Sequence, residues 1–449
     1  MIQLISRWGK EIDPGNILQE YPRPNLVRDS YFNLNGEWEC RINESETADF
    51  YDETIIVPFS PESMLSGVGK IVMPHQRLHY RKKFTLPEGF KKSRVLLHFG
   101  AVDQECSVFV NGIRVGGHKG GYLPFHFDIT DSLRQGENVL TLSVTDRTEQ
   151  SPHARGKQKL QKKGKYASLF YTPQSGIWKT VWMESVEKAY IEDVRITPLY
   201  DDSSVRFEIT VLNACKTSGA ETSGGKASGG ETSGTVRLAV LDRGVEIGQA
   251  EITVRQEKEI KQVISQEIKL DGFKPWTPDT PHLYDVIIRY GEDEVRSYFG
   301  MRKLSTGRDG KGILRFFLNN KPYFFNGILD QGYWPESLMT APSDEALVYD
   351  IIKLKEMGYN TIRKHVKIEA ERFYYHCDRL GMMVWQDMPN GGGEYNMVFV
   401  THSPMPRTGS PGGSATVTTE YSKERTGKDG DSITPILRIW YPHCTITPV

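Results

Sequence analysis

At 449 residues and 51.0 kDa, the chain has room for about three domains of roughly 150 residues each, so a single core is not expected. Its 56 lysines and arginines nearly cancel its 57 aspartates and glutamates, leaving a formal net charge of −1 and a pI near 6.8. No global field exists to gather nucleic acid or an anionic membrane surface, and a neutral or weakly charged partner fits better. Cys40, Cys106, Cys215, Cys377 and Cys444 are scattered without CxxC pairing, which reads as reduced thiols and not as zinc ligands.

The opening stretch "MIQLISRWGKEIDPG" meets charge within its first turns and lacks the apolar centre of a signal peptide. No apolar run approaches the roughly 20 residues of a membrane span, so a cytoplasmic protein with no membrane or nucleic-acid partner is expected.

Up to about residue 185 the pattern is short β-branched and aromatic runs divided by turn residues, as in "RVLLHFGAVDQECSVFVNGIRVGGH" and "NVLTLSVTD". This is the pattern of a β-sandwich. Asn111-Gly112 accepts positive φ at both central positions of a tight turn and predicts a hairpin between "VFV" and "IRV".

From 186 to 303 a second β pattern follows ("DVRITPLY", "VRFEITVLNA", "TVRLAVLD", "AEITVRQ", "YDVIIRYGEDEVRSYFG"), suited to an immunoglobulin-like sandwich. Its Gly, Ser and Thr tract at 216–234 cannot bury enough apolar area to offset ordering entropy and reads as a flexible loop.

After Leu304 the period changes. "KPYFFNGIL" reads as a buried strand, and "SDEALVYDIIKLKEMGYN" as an amphipathic helix with Ser343 as N-cap and Gly358 as stop. "TIRKHV" is a second strand, "EAERFYYHCDRLG" a second helix and "MMVWQDM" a third strand. Strands alternating with helices imply parallel βαβ units. A complete barrel of eight such units takes about 250 residues, and here there is room for barely three.

From 397 to 449 the chain is crowded with Thr, Ser, Gly and Pro and shows no helical period. It reads as a foreign or out-of-frame ending, with an early natural end as the alternative. Strands that do not close into a ring leave unpaired edges, which invites subunit pairing and leaves a homo-oligomer open.

Several motifs in this order resemble glycoside hydrolase family 2, the group of β-galactosidases, β-glucuronidases and β-mannosidases. "RPNLVRDSYFNLNGEW" is similar to the family's opening segment, and "VFVNGIRVGGHKGGYLPFHFDIT" to its sugar-binding jelly-roll core. "SGIWKTVWME" resembles the end of that domain, "PWTPDTPHLYDV" the last part of the immunoglobulin-like domain, and "NNKPYFFNGILDQ" the first barrel strand.

The resemblance implies a multidomain, mainly β protein: a jelly-roll sugar-binding sandwich (1–185), an immunoglobulin-like sandwich (186–303) and an incomplete (β/α)8 TIM barrel (304–396). It also implies hydrolysis of β-linked O-glycosides with retention, through two glutamates on later barrel strands. The acid/base glutamate of the family follows an asparagine. The one Asn-Glu pair here, Asn43-Glu44, lies in the first β domain, and Glu420 and Glu424 sit in no strand pattern. Neither catalytic role is carried onto this chain, which is expected to be inactive or nearly so. A non-catalytic carbohydrate-binding protein is the alternative.

Retaining hydrolysis needs two carboxyl groups about 5 to 5.5 Å apart and requires no cofactor. Some family members use a metal near the site, but no ligands for one can be placed here. No P-loop, dinucleotide fingerprint, HExxH or GxSxG is present.

The carboxylates at strand ends are Asp330, Asp387 and Glu394. For Asp387 three readings stand: substrate binding or orientation of a neighbour, structural pairing with Arg363, and nucleophile or acid. Gln331 follows Asp330 at the same rim. Arg363 and His365 end the second strand, bringing a fixed cation and a titratable ring to the mouth. The family also carries an Arg and a His after this strand, spaced three apart where here they are two apart, so His365 faces either the sugar or the core.

Trp334 and Trp385 could stack on a sugar ring or simply pack. The basic run Arg155, Lys157, Lys159, Lys162, Lys163 and Lys165 is either a solvated surface or a loop reaching the barrel mouth, where it would favour a uronate. The substrate-binding candidates are therefore Asp330, Gln331, Trp334, Arg363, His365 and Asp387, and the partner is a carbohydrate. Limited proteolysis is expected to cut near Gly234 and beyond Asn396 and to spare both sandwiches; fragments of equal abundance along the whole chain would refute these boundaries.

Overall fold

The computed structural model describes residues 4–151, 153–160, 169–212, 232–256 and 261–389, together with the short strands Trp440–Tyr441 and Cys444–Thr445. The first domain packs a four-stranded sheet against a six-stranded one. In spatial order the four are Phe32–Asn33, Val181–Val186, Arg94–Phe99 and Phe125–Asp128. The six run from Glu53–Val57 through Gly36–Asn43, Arg77–Thr85, Glu137–Thr145 and Glu105–Val110 to Ile113–Lys119.

Every pairing is antiparallel, and inward residues such as Leu97, Val108, Leu142 and Tyr80 form one core. The Asn-Gly turn forms as its chemistry dictates: Asn111 and Gly112 both take positive φ (51° and 79°), and Val110 pairs with Ile113.

The second sandwich sets Tyr190–Leu199, Ser204–Leu212 and Lys261–Lys269 against Val245–Gln256, Thr232–Asp242, Tyr284–Tyr290 and Asp293–Phe299. Its core is built from inward residues of both sheets, among them Phe207, Leu238, Tyr284 and Phe299. The tract expected as a loop at 216–234 ends in strand from Thr232 onward, so Gly234, expected as a cleavage point, instead pairs with Val254 in the sheet. The remainder of that tract, 216–231, lies outside the described residues.

The two sandwiches are joined by buried charge. The Arg28 guanidinium donates to both oxygens of Asp293 (2.9 and 3.0 Å), to Glu184 at 3.1 Å and to the carbonyl of Ile191. Arg23 adds a two-pronged contact to Glu184 (2.9 and 3.1 Å). Glu184 closes the first domain and Asp293 belongs to the second, so the planar fork of one arginine sets their relative placement.

Between Phe299 and the parallel strands lies a small antiparallel sheet, Leu304–Arg308, Leu314–Leu318 and Lys321–Pro322. The stretch expected as one buried strand, "KPYFFNGIL", is instead broken. Asn326 binds Gly358 and Asn360 and turns the chain, Phe324 is 80% exposed, and the strand proper is Gly327–Asp330.

Then come helix Asp344–Glu356, strand Thr361–Lys364, helix Glu371–Leu380 and strand Met383–Gln386, with all three strands parallel. The Ser343 hydroxyl caps the first helix by accepting from the Ala346 N–H. Gly358, at φ 89°, follows that helix's end, as its stop role requires. Cys40, Cys106 and Cys377 are buried and unpaired, and no helix among the described residues is long and apolar enough to cross a membrane.

Replacing Arg28 by methionine leaves Asp293 and Glu184 buried without their shared cation. A loss of about 3–5 kcal/mol in urea unfolding is expected; a change within the error of the measurement would show that the fork does not hold the junction.

Candidate active-site rim

Side chains alternate along the parallel strands, and their register places them in rows. Leu329, Arg363 and Trp385 are neighbours across the three strands and face the inner side of the nascent barrel. With no opposing strands over them among the described residues, Leu329 is 49% exposed, Trp385 39% and the Arg363 side chain 54%. One residue further along, Asp330, Lys364 and Gln386 form a row facing the helices, where Lys364 and Gln386 are buried.

His365 and Asp387 continue the inner face beyond the strand ends, held by the bonds His365 N–H to Asp330 carbonyl (2.9 Å) and Asp387 N–H to Lys364 carbonyl (2.8 Å). There the Asp387 Oδ2 accepts from the Arg363 guanidinium at 2.8 Å and from His365 Nδ1 at 2.7 Å. The two-residue spacing thus puts Arg363 and His365 on one side of the strand, sharing one carboxylate. With Nδ1 committed to Asp387, the other ring nitrogen of His365 is the one left for a ligand.

The remaining candidates fall elsewhere. Asp330 faces the helix layer, where one oxygen pairs with Lys364 at 2.5 Å and the other accepts the Gly332 N–H at 2.7 Å. Gln331 has a buried Oε1 with no hydrogen-bond partner among the described residues. Trp334 packs edge-on against Trp8 of the short helix Arg7–Lys10 (centroids 6.0 Å apart, 89°) and against the cluster of Ala341, Leu347 and Ile351. Trp385 stands edge-on to Phe316 and Phe325 on the open inner face. Glu394, Glu420 and Glu424 lie outside the described residues.

Under the rim is a charge cluster that the sequence reading did not identify. Glu369 Oε1 accepts from Lys364 at 3.1 Å and from Lys367, whose ammonium also donates to the carbonyls of Gly332 and Met339 (2.7 and 2.6 Å). The Glu369 carbonyl in turn accepts Lys179 of the jelly-roll at 3.1 Å. The chain reaches this arrangement by bending at Val366, whose φ of 59° is one that β-branched residues avoid.

Burial alone would raise the Glu369 carboxyl, but the two lysines outweigh it and hold it near 2, while burial lowers Lys367 to about 8 and Lys179 to about 7. A signal was present in "RKHVKIE": Lys364 shares the helix-facing side with Ile362, and a lysine there demands a buried acid.

The first domain reaches this rim. Tyr171 stacks on Tyr333 at 3.7 Å and 8°, and a side chain at Gly156 would meet the Val366 carbonyl at 2.6 Å. Of the basic run, Arg155 is buried and donates to the Gln158 carbonyl, which corrects its reading as solvated surface. Lys159 lies 4.9 Å over the Phe170 ring, and Lys162, Lys163 and Lys165 lie outside the described residues. Among the described residues no group of three or more His, Cys, Asp or Glu side chains is arranged to hold a metal.

Two sandwiches followed by a parallel β/α unit, with polar groups at the carboxyl ends of its strands, define a multidomain architecture with the start of a barrel. Residues 67–181 match the sugar binding domain of glycosyl hydrolases family 2, and residues 189–302 match the following domain of glycosyl hydrolases family 2. The chain belongs to that family.

A β-galactosidase of Thermoanaerobacter pseudethanolicus is 30% identical over 319 residues, covering 69% of this chain and 39% of the relative. A putative β-glucuronidase of Formosa agariphila is 24% identical, covering 69% and 34%. This chain therefore spans well under half the length of either relative. In fold it is similar to a β-galacturonidase of Eisenbergiella tayi, with a TM-score of 0.64 at 21% identity over 84% of this chain and 59% of that one.

The depressed Glu369 carboxyl carries a sign. An ordinary carboxyl protonates near 4.5 when unfolded, so the stabilisation is complete above that pH and is lost as pH falls toward 2. Between pH 5 and pH 2, wild type is expected to lose roughly 3 kcal/mol more than Glu369→Gln in denaturant titrations; parallel losses would show that the cluster does not couple to folding.

Proposed function

We propose that this chain provides the sugar-recognising front of a retaining β-glycosidase, with Arg363, His365 and Asp387 holding the glycone at the barrel mouth. One observation carries the reading: a single carboxylate aligns a guanidinium and an imidazole on the inner face, at the carboxyl ends of parallel strands, where barrel enzymes assemble their sites. An Asp387 whose Oδ2 sits between a guanidinium and an imidazole is suited to orienting the two.

Arg363 then donates to a ring hydroxyl or a uronate carboxylate, and the free nitrogen of His365 to a neighbouring hydroxyl. Trp385, exposed in the same row as Arg363, offers its ring to the apolar side of the sugar. Asp330 and Trp334 act behind the site, as supports. The β-galactosidase and β-glucuronidase relatives make a galactoside or a glucuronide the first substrates to try.

A second reading, a carbohydrate-binding protein without catalysis, is favoured by one feature: among the described residues the inner face carries Asp387 but no glutamate. Calorimetry on the whole chain should detect saturable binding of galactose or glucuronate, weakened about tenfold or more in Arg363→Met. Nitrophenyl β-galactoside and β-glucuronide should bind without turnover at an enzymatic rate. Unchanged affinity in the variant would remove the rim from recognition, and rapid hydrolysis would overturn the division between binding and bond breaking.

A further inference from the structure

Three rings lie side by side across neighbouring strands of the four-stranded sheet, Trp182 in register with His98 and His98 with His126. The His98 ring stacks on Trp182 at 4.8 Å and 9° and stands 5.0 Å from His126 at 38°. Their sequence neighbours Leu97, Phe99 and Phe125 point into the jelly-roll core, so by alternation both histidines face outward, toward the junction with the second domain. His98 is buried there, with its Nε2 3.2 Å from Glu184 Oε2. That oxygen is already shared by Arg23 at 2.9 Å and Arg28 at 3.1 Å, and Tyr21 donates to the other oxygen. Asp293 is matched by Arg28 at 2.9 Å, Glu192 by Lys261 at 2.7 Å and Asp128 by Arg94 at 3.1 Å. Tyr190 lies under the Arg28 guanidinium at 5.9 Å, and Asp193 and Glu371 act on Arg23. A proton added to either ring is thus one more cation set among Arg23, Arg28 and Lys261, away from water.

We propose that His98 and His126 form an acid-released latch between the first two domains: neutral, they pack the junction closed, and protonated, they part it while each sandwich stays folded. Burial, with Arg23, Lys261 and Arg28, pushes His126 down to about 4 against the pull of Asp128, and burial, His126 and both arginines hold His98 well below its ordinary range. An imidazole freed into water takes its proton near 6.5, so below that pH the open junction binds more protons than the closed one. The closed state is fully favoured above 6.5 and loses ground as pH falls toward 4. Because the rings stand on the outer face, the added charge is relieved by moving the domains apart and not by breaking a core. None of these groups belongs to the rim, so the latch is independent of the sugar reading.

Backbone hydrogen exchange on the full chain tests the latch. Val27 and Arg296 exchange hydrogen bonds across the junction (2.8 and 2.9 Å), while Leu142 and Ile288 lie in central strands of the two sandwiches. After correction for the intrinsic pH dependence of exchange, protection at Val27 and Arg296 should fall about twentyfold or more from pH 7 to pH 5, with Leu142 and Ile288 unchanged. His126→Phe keeps a ring with no proton to gain and should lessen the fall, and the double variant with His98→Phe should abolish it. His126→Gln gives the same comparison without the ring. A wild type that shows no fall overturns the proposal, and so does an equal fall in the variants. Loss of protection at Leu142 and Ile288 in step with Val27 overturns it too, since that marks unfolding of the domains themselves.

Discussion

The Glu369 carboxylate is the charge on which the rim rests. Two buried lysines converge on one of its oxygens, and one of them, Lys367, reaches past it to carbonyls at both ends of the segment that carries Tyr333 and Trp334. Removing any member strands the others in a low-dielectric interior, where an uncompensated charge costs several kcal/mol. The segment after the first parallel strand is therefore held by charge from beneath and by the jelly-roll from above: Gln174 Oε1 accepts the Met339 N–H, and the Thr340 hydroxyl donates to the Trp178 carbonyl. A loop fixed on two sides can present a side chain to a ligand with little ordering cost at binding.

Strand alternation then sorts the polar residues by task. Residues two apart share a side, so Arg363 and His365 meet Asp387, while Lys364 between them turns to the helices and pairs with Asp330 and Glu369. One short sequence, "RKHVKIE", thus supplies both the exposed donors of the rim and the buried cations that hold it. The sharp turn at Val366 separates the two functions: without it, Lys367 would follow the inner face of His365 instead of passing under the loop.

The architecture was legible because its signals are local. The Asn111-Gly112 turn, the Ser343 cap and the alternating runs of both sandwiches each follow from residues within a few positions of one another. The rim was half legible. Arg363, His365 and Asp387 stood out by type and place, but nothing in the sequence states that they share one oxygen. Trp334 was ambiguous because its partner, Trp8, lies over three hundred residues away in sequence. Asp330 looked like a ligand group for the same reason: its cation, Lys364, becomes adjacent only through parallel pairing across a helix. Arg155 read as surface charge because its neighbours in sequence are basic, and the local turn that lets it donate to the Gln158 carbonyl leaves no signal in composition.

Docking of the first domain on the third makes the rim a composite of two domains. Gly156 sits where its missing side chain lets the first domain touch the Val366 carbonyl, immediately after His365, and Tyr171 covers Tyr333 face to face. At Gly156 a positive φ of 59° and the lack of room for a Cβ coincide, so glycine is required there by backbone and by packing at once. The bend at Val366 is strained for a valine, and the approach of Gly156 to its carbonyl places a wall of the jelly-roll against that bend. The residue that follows His365 is thus packed by the first domain, while His365 itself is held within the third by the Asp330 carbonyl and Asp387.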